Sequence, residues 1–115
     1  MKIMLVDDDR TMRAILKTLL ELEKHQVVSW NGQPTSDILE QIREEKPDLI
    51  LLDVYLRDIS GLDIVKSLRE DPQFATTRIL MTSGMALKDE CMAAGADGFL
   101  LKPYMPDELI DFIKE

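Results

Sequence analysis

The chain has 115 residues, 45% of them apolar and 31% charged, which fits one globular domain and leaves no room for a second. Fourteen basic against 22 acidic side chains give a formal charge of -8, a field that repels nucleic acid and anionic lipid, so direct nucleic-acid binding by this segment is not expected. The lone Cys91 excludes an intrachain disulfide and is no zinc site without clustered histidines. With no signal-peptide pattern and no apolar stretch of the roughly 18 residues that span a bilayer, the chain reads as a soluble protein of the reducing cytosol.

Strand-like and helix-like patterns alternate from one end to the other. Residues 2–6 (KIMLV) form a short, nearly continuous apolar run, as expected of a parallel strand covered on both faces. A helix follows, because Met12, Ile15, Leu16, Leu19 and Leu20 repeat at the spacing of one buried face, with Arg10, Arg13, Lys17 and Glu21 outside it. Residues 26–30 (QVVSW) are apolar but interrupted by Gln26 and Ser29, which places this strand at the sheet margin. Pro34 is tolerated as a first helical residue, Ile38, Leu39 and Ile42 supply a narrower stripe, and Pro47 forbids continuation. Residues 48–53 (DLILLD) are the third strand.

Ser60 followed by Asp63 matches a capping box, so the third helix is expected to start there, with Leu62, Val65 and Leu68 on its apolar face. The fourth strand is residues 78–82 (RILMT). Residues 85–94 offer only Leu87, Cys91 and Ala94 between Gly84 and Gly95, so the fourth helix is expected to be short and comparatively mobile. Residues 98–101 (GFLL), a nearly continuous apolar run like residues 2–6, read as a fifth strand buried on both faces. Pro106, Asp107 and Glu108 then start a last helix, with Leu109, Ile110 and Ile113 facing inward. Five strands alternating with five helices predict an α/β fold with right-handed crossovers, a parallel sheet covered on both faces and ligands bound at the carboxyl ends of the strands.

Those ends carry the polar residues. Asp7-Asp8-Asp9 follows the first strand, Asp53 closes the third, Thr82 and Ser83 end the fourth, and Lys102-Pro103 follows the fifth. Each has a bland reading: a solvated or capping triplet, a turn cap, strand-end hydroxyls, a snorkelling lysine. His25 reads as a surface turn residue and Cys91 as a small packing residue. Four polar groups at four strand ends argue instead for one pocket. Two carboxylates about 4 Å apart repel by roughly 4 kcal/mol at an effective dielectric near 20, so three of them need cations. Lys102 is one. Oxygen ligands without imidazole or thiolate select a hard divalent ion, and magnesium with retained waters suits so open a site.

The segments VDDDRTMR (6–13), LILLDVYLRDISGLD (49–63), ILMTSG (79–84) and GADGFLLKP (95–103) occur in the order seen in receiver domains of two-component response regulators, and the chain resembles that family over essentially its whole length. The resemblance implies a flavodoxin-like, doubly wound five-stranded parallel sheet of order 2-1-3-4-5 with five helices. It implies that residues 1–115 form one receiver domain. Asp53 is then the phosphoryl acceptor, and Mg2+ is bound by Asp8 and Asp53 directly, by Asp7 through water and by the Tyr55 carbonyl. Asp9 is a bystander. Ser83, followed by the small Gly84, is preferred to Thr82 as the hydroxyl that binds a phosphoryl oxygen, and Lys102 pairs with another. Phe99 falls at the family's switch aromatic and Lys102-Pro103 at its usually cis peptide bond.

The implied function is a phosphorylation-activated switch: a sensor histidine kinase or phosphotransfer protein donates the phosphoryl group, and the face formed by helix 4, strand 5 and helix 5 relays the change. The chain would catalyse nothing beyond its own phosphorylation and dephosphorylation. Output domains, downstream proteins and a homodimer formed on phosphorylation are partners of the kind implied. Leu56-Arg57 replaces the family's frequent Met-Pro pair, Ser60 replaces an Asp, and the interval from Ser83 to Gly95 is about a turn short. Tyr55 and Met85 flank the expected path of the hydrolytic water, which predicts slow dephosphorylation. Two other readings remain: a magnesium-dependent phosphatase with an aspartyl nucleophile, disfavoured by Tyr55 where that class has a second Asp, and a degenerate receiver acting only by protein binding. A flavin protein of similar topology fails because the first loop is acidic where a phosphate cradle needs free amides.

Overall fold

A computed structural model describes residues 1–30, 35–56 and 59–115, with backbone only for residues 35–37. Five parallel strands form its main sheet: β1 (Lys2–Val6), β2 (Gln26–Ser29), β3 (Leu49–Asp53), β4 (Arg78–Ser83) and β5 (Gly98–Leu101), in the order β2-β1-β3-β4-β5. The helices between and after them are α1 (Arg10–Leu22), α2 (Thr35–Glu45), α3 (Gly61–Arg69), α4 (Lys88–Ala94) and α5 (Pro106–Lys114). This is the doubly wound, flavodoxin-like sheet that the resemblance implies. Pro34, read as the first residue of the second helix, and Arg57, which stands in place of the family's frequent proline, lie outside the described residues. Among the described residues no helix is long and apolar enough to cross a membrane.

Alternation along the strands sorts the core onto two faces. Met4, Val6, Ile50, Leu52 and Met81 pack with Ile38, Ile64 and Cys91 of α2, α3 and α4. Ile3, Leu5, Leu49, Leu51 and Leu80 pack with Leu16 of α1 and Leu109 of α5. Successive side chains of a strand point to opposite faces, so continuous apolar runs serve both layers at once.

Several expectations need correction. β5 is the second edge strand, and none of its residues is buried, whereas it reads as a fully covered strand in the sequence. Ile15, assigned to the buried face of α1, is 48% exposed, because that face centres on Leu16 and Leu20 and Ile15 falls beyond its margin. Ser60 is the N-cap residue of α3 but its side chain makes no capping hydrogen bond. Ser60 is instead held in a two-residue antiparallel ladder with Tyr55, and Gly61 N donates to the Val54 carbonyl at 2.6 Å. The short ladder Tyr55–Leu56 with Ile59–Ser60 and the 3-10 turn Pro72–Phe74 have no counterpart in the sequence reading. α4 is short as expected, ending at Gly95, whose φ of 118 suits glycine.

Candidate functional site

The loop after β1 turns sharply because Asp7 accepts a bond from the backbone of Asp9 at 2.9 Å, and Asp9 in turn caps α1 by accepting from Met12 N at 3.1 Å. Asp9 is thus a helix cap, which accounts for the third carboxylate of the triplet. The turn leaves Asp7 buried and Asp8 half-buried at the mouth of the sheet. Asp53 enters from β3, whose last residues pair with Met81 and Thr82. Gly61 makes its approach to α3 feasible, since a Cβ there would collide with the Asp53 carbonyl oxygen and sit 3.0 Å from the Val54 Cα.

Lys102 closes the group. Its Nζ donates to Asp53 Oδ2 at 2.9 Å and to Asp7 Oδ2 at 3.3 Å, while the Tyr55 amide faces Asp53 Oδ1 at 3.4 Å. One carboxylate oxygen from each of Asp7, Asp8 and Asp53 lies within 4.8 Å of the others. The Lys102-Pro103 bond is cis.

The charges show the strain of this arrangement. Burial pushes the Asp53 carboxyl above its ordinary range; the Lys102 hydrogen bond and charge pull it back, and Asp7 pushes it up again. Burial works against the Lys102 ammonium too, but the hydrogen bond to Asp53 and the charge of Asp7 outweigh it and hold the lysine above its usual value. Beneath the pocket the Tyr104 phenol is pushed up to about 12, by burial first and by Asp7 next. One lysine against three carboxylates leaves the pocket net negative. A hard cation with oxygen ligands fits that deficit, and the donor set contains nothing that would select a soft metal.

The other expected residues take separate places. Ser83 and Thr82 are both buried, and the Ser83 Oγ accepts from Met85 N at 3.0 Å. Thr82 pairs with Asp53 and its carbonyl accepts from Val54 N at 2.9 Å, which commits its backbone to the sheet. Ser83 pairs with Leu101 and Phe99 with Met81, so Ser83 and Phe99 are diagonal neighbours, and alternation puts both on the α2-α3-α4 face where Phe99 packs. Tyr55 and Met85 are both more than half exposed, on the loops after β3 and β4. Cys91 is a buried packing residue with its thiol pushed up by burial. The sequence reading missed Arg13: its guanidinium reaches back from α1 to the Asp7 carbonyl at 2.7 Å.

A family model described as the response regulator receiver domain matches residues 3–114. The transcriptional regulatory protein CpxR of Escherichia coli (strain K12) is 38% identical over 98% of this chain and 47% of that protein. The chemotaxis protein CheY of Thermotoga maritima is 28% identical over 99% of this chain and 95% of that protein. Among solved structures, the chemotaxis response regulator CheY4 of Vibrio cholerae superposes with a TM-score of 0.87 at 28% identity, covering 98% of this chain and 95% of that one. The chain therefore spans about half the length of CpxR and nearly all of the two chemotaxis proteins.

Proposed function

This chain belongs to the response regulator receiver domains, the phosphorylation-activated switches of two-component signalling, and on that premise we propose that Asp53 is the residue phosphorylated. The carrying observation is the bridge from Lys102 Nζ to Asp53 and Asp7 within a cluster of three carboxylates. Residues 1–115 act as one receiver unit in this reading. Asp8 and Asp53 would hold Mg2+, with Asp7 acting through water and the Tyr55 carbonyl completing the ligands. When bound, the ion would supply positive charge to the equatorial phosphoryl oxygens.

The chain's own residues do the rest. A carboxylate oxygen of Asp53 attacks the phosphorus of a phosphohistidine, the P–N bond breaks with its electron pair going to the ring nitrogen, and a P–O bond forms on Asp53. Transfer of this kind passes through a loose transition state, so positioning and charge neutralisation carry the catalysis. Lys102, already hydrogen-bonded to Asp53, is placed to pair with a phosphoryl oxygen. Ser83 would donate its hydroxyl proton to another, since its Oγ accepts from Met85 N and leaves the O–H free to donate. Drawing Ser83 toward the phosphoryl group frees space on the face it shares with Phe99, and that movement would pass to α4, β5 and α5. A charge-assisted hydrogen bond contributes about 1.5–3 kcal/mol, less than the roughly 5.5 kcal/mol that inverts a 1:99 population, so the switch is expected to be partial without a partner. A histidine kinase or phosphotransfer protein as donor, a separate output module and dimerisation on phosphorylation belong to the same proposal. Water attack on the phosphorus returns free Asp53 and inorganic phosphate, the only turnover expected.

Intact-mass measurement after incubation with Mg2+ and acetyl phosphate tests this. A single phosphoryl adduct that is absent in Asp53→Ala is expected; no adduct, or steady hydrolysis of unrelated phosphoesters, overturns the proposal.

A further inference from the structure

Asp7 is held at three atoms. Its Oδ1 accepts from Asp9 N at 2.9 Å, its Oδ2 from Lys102 Nζ at 3.3 Å, and its backbone carbonyl from Arg13 Nη1 at 2.7 Å. The first two bonds fix the Asp7 side chain. The third acts on the peptide plane that joins Asp7 to Asp8, and rotation of that plane would swing the Asp8 Cα and carboxylate relative to Asp53. The same guanidinium nitrogen lies 3.5 Å from the Trp30 carbonyl, which follows β2, and Trp30 N donates to the Leu5 carbonyl at 2.9 Å. Arg13 is thus anchored between the carboxyl ends of two neighbouring strands, and its own backbone N closes the first turn of α1 by donating to Asp9 O at 3.0 Å.

We propose that Arg13 is a positioning residue for metal binding: by clamping the Asp7–Asp8 peptide it sets the Asp8 carboxylate at the spacing it holds from Asp7 and Asp53. The proposal rests on the reading of this pocket as a Mg2+ site. Groups that orient ligands from behind typically change metal affinity by about 10- to 100-fold when removed. Arg13 also carries a positive charge, and charge alone would act in the opposite sense, since removing a cation near an acidic pocket favours another cation. The sign of the effect therefore separates positioning from simple electrostatics.

The experiment is titration calorimetry of the full chain with Mg2+, for wild type, Arg13→Met and Arg13→Lys, with Tm recorded in EDTA as a separate readout. Positioning predicts that Mg2+ binds Arg13→Met about tenfold or more weakly. Arg13→Lys, which keeps the charge but replaces a planar fork by a single ammonium, is expected to fall between that variant and wild type. Unchanged or tighter binding by Arg13→Met overturns the proposal, as does a lowered Tm with unaltered affinity, the mark of a merely structural arginine. Should Arg13→Met not fold, Arg13→Lys decides alone: weaker binding than wild type supports the clamp and equal binding overturns it. Wild type that binds no Mg2+ overturns the metal-site reading itself, and this proposal with it.

Discussion

At Asp53, burial and the Lys102 ammonium act in opposite directions, and burial prevails, so the carboxyl sits above its usual value of 3.8. A carboxyl raised in this way binds protons more tightly in the native state than in the unfolded one. Stability therefore falls as pH rises from about 3.8 through the folded value. Asp53→Asn removes the penalty. In metal-free buffer its Tm is expected to exceed that of wild type at pH 7, with the gain shrinking as pH is lowered toward 4; an equal or lower Tm at pH 7 would mean that the Lys102 pairing outweighs burial. Tyr55 governs a second property at this scale. Tyr55 is 56% exposed and its amide faces Asp53 Oδ1 at 3.4 Å, so on the proposed reading its side chain would stand beside the path by which water reaches Asp53. Tyr55→Asn, smaller and able to orient a water, is expected to speed loss of the phosphoryl group several-fold, followed by the decay of the adduct mass; rapid decay in wild type, unchanged in the variant, would refute the idea.

Among the elements, α3 begins in close contact with the end of β3. Gly61 lets its first turn meet the Asp53 carbonyl and the Val54 Cα, where a methyl group finds backbone rather than a side chain that could move. Gly61→Ala is expected to destabilise by roughly 1–3 kcal/mol in urea unfolding and to slow phosphorylation by displacing Asp53. Gly84, where an added methyl group would meet no atom within 4 Å, should accept Ala with little change in the same measurements. This difference between two glycines is invisible in the sequence. The strands were legible because all but β2 are nearly continuous apolar runs and β2 keeps Val27 and Val28, and the acidic residues and Lys102 because each closes or follows such a run. The Tyr55–Leu56 ladder was not, since two residues carry no period and the pairing depends on how the loop is folded back. Arg13 was obscured for a related reason: helical periodicity places it outside the apolar face, and nothing in that period records that a first-turn arginine can reach a strand end. Phe74, one of the largest fully buried side chains, sits in a 3-10 turn too short to announce itself.

For the molecule as a whole, the acidic pocket is a place where the fold holds unfavourable charge in reserve. Mg2+ bound there should stabilise the native state by about 2.7 kcal/mol when present at a hundredfold excess over its Kd, a Tm rise on the order of 10 °C for a domain of this size. Asp8→Asn, which removes one of the three carboxylates, should shrink that rise; a rise that persists unchanged would place the ion elsewhere. The sheet itself divides the labour. Alternation points Asp53 to the side of Leu51, packed by α1 and α5, whereas Ser83 and Phe99 belong to the side packed by α2, α3 and α4. In genetic terms, loss-of-function alleles should then fall into two classes: deaf alleles at Asp53, Lys102 or Ser83 that acquire the phosphoryl group slowly or never, and mute ones at Phe99 that acquire it at the normal rate and transmit nothing.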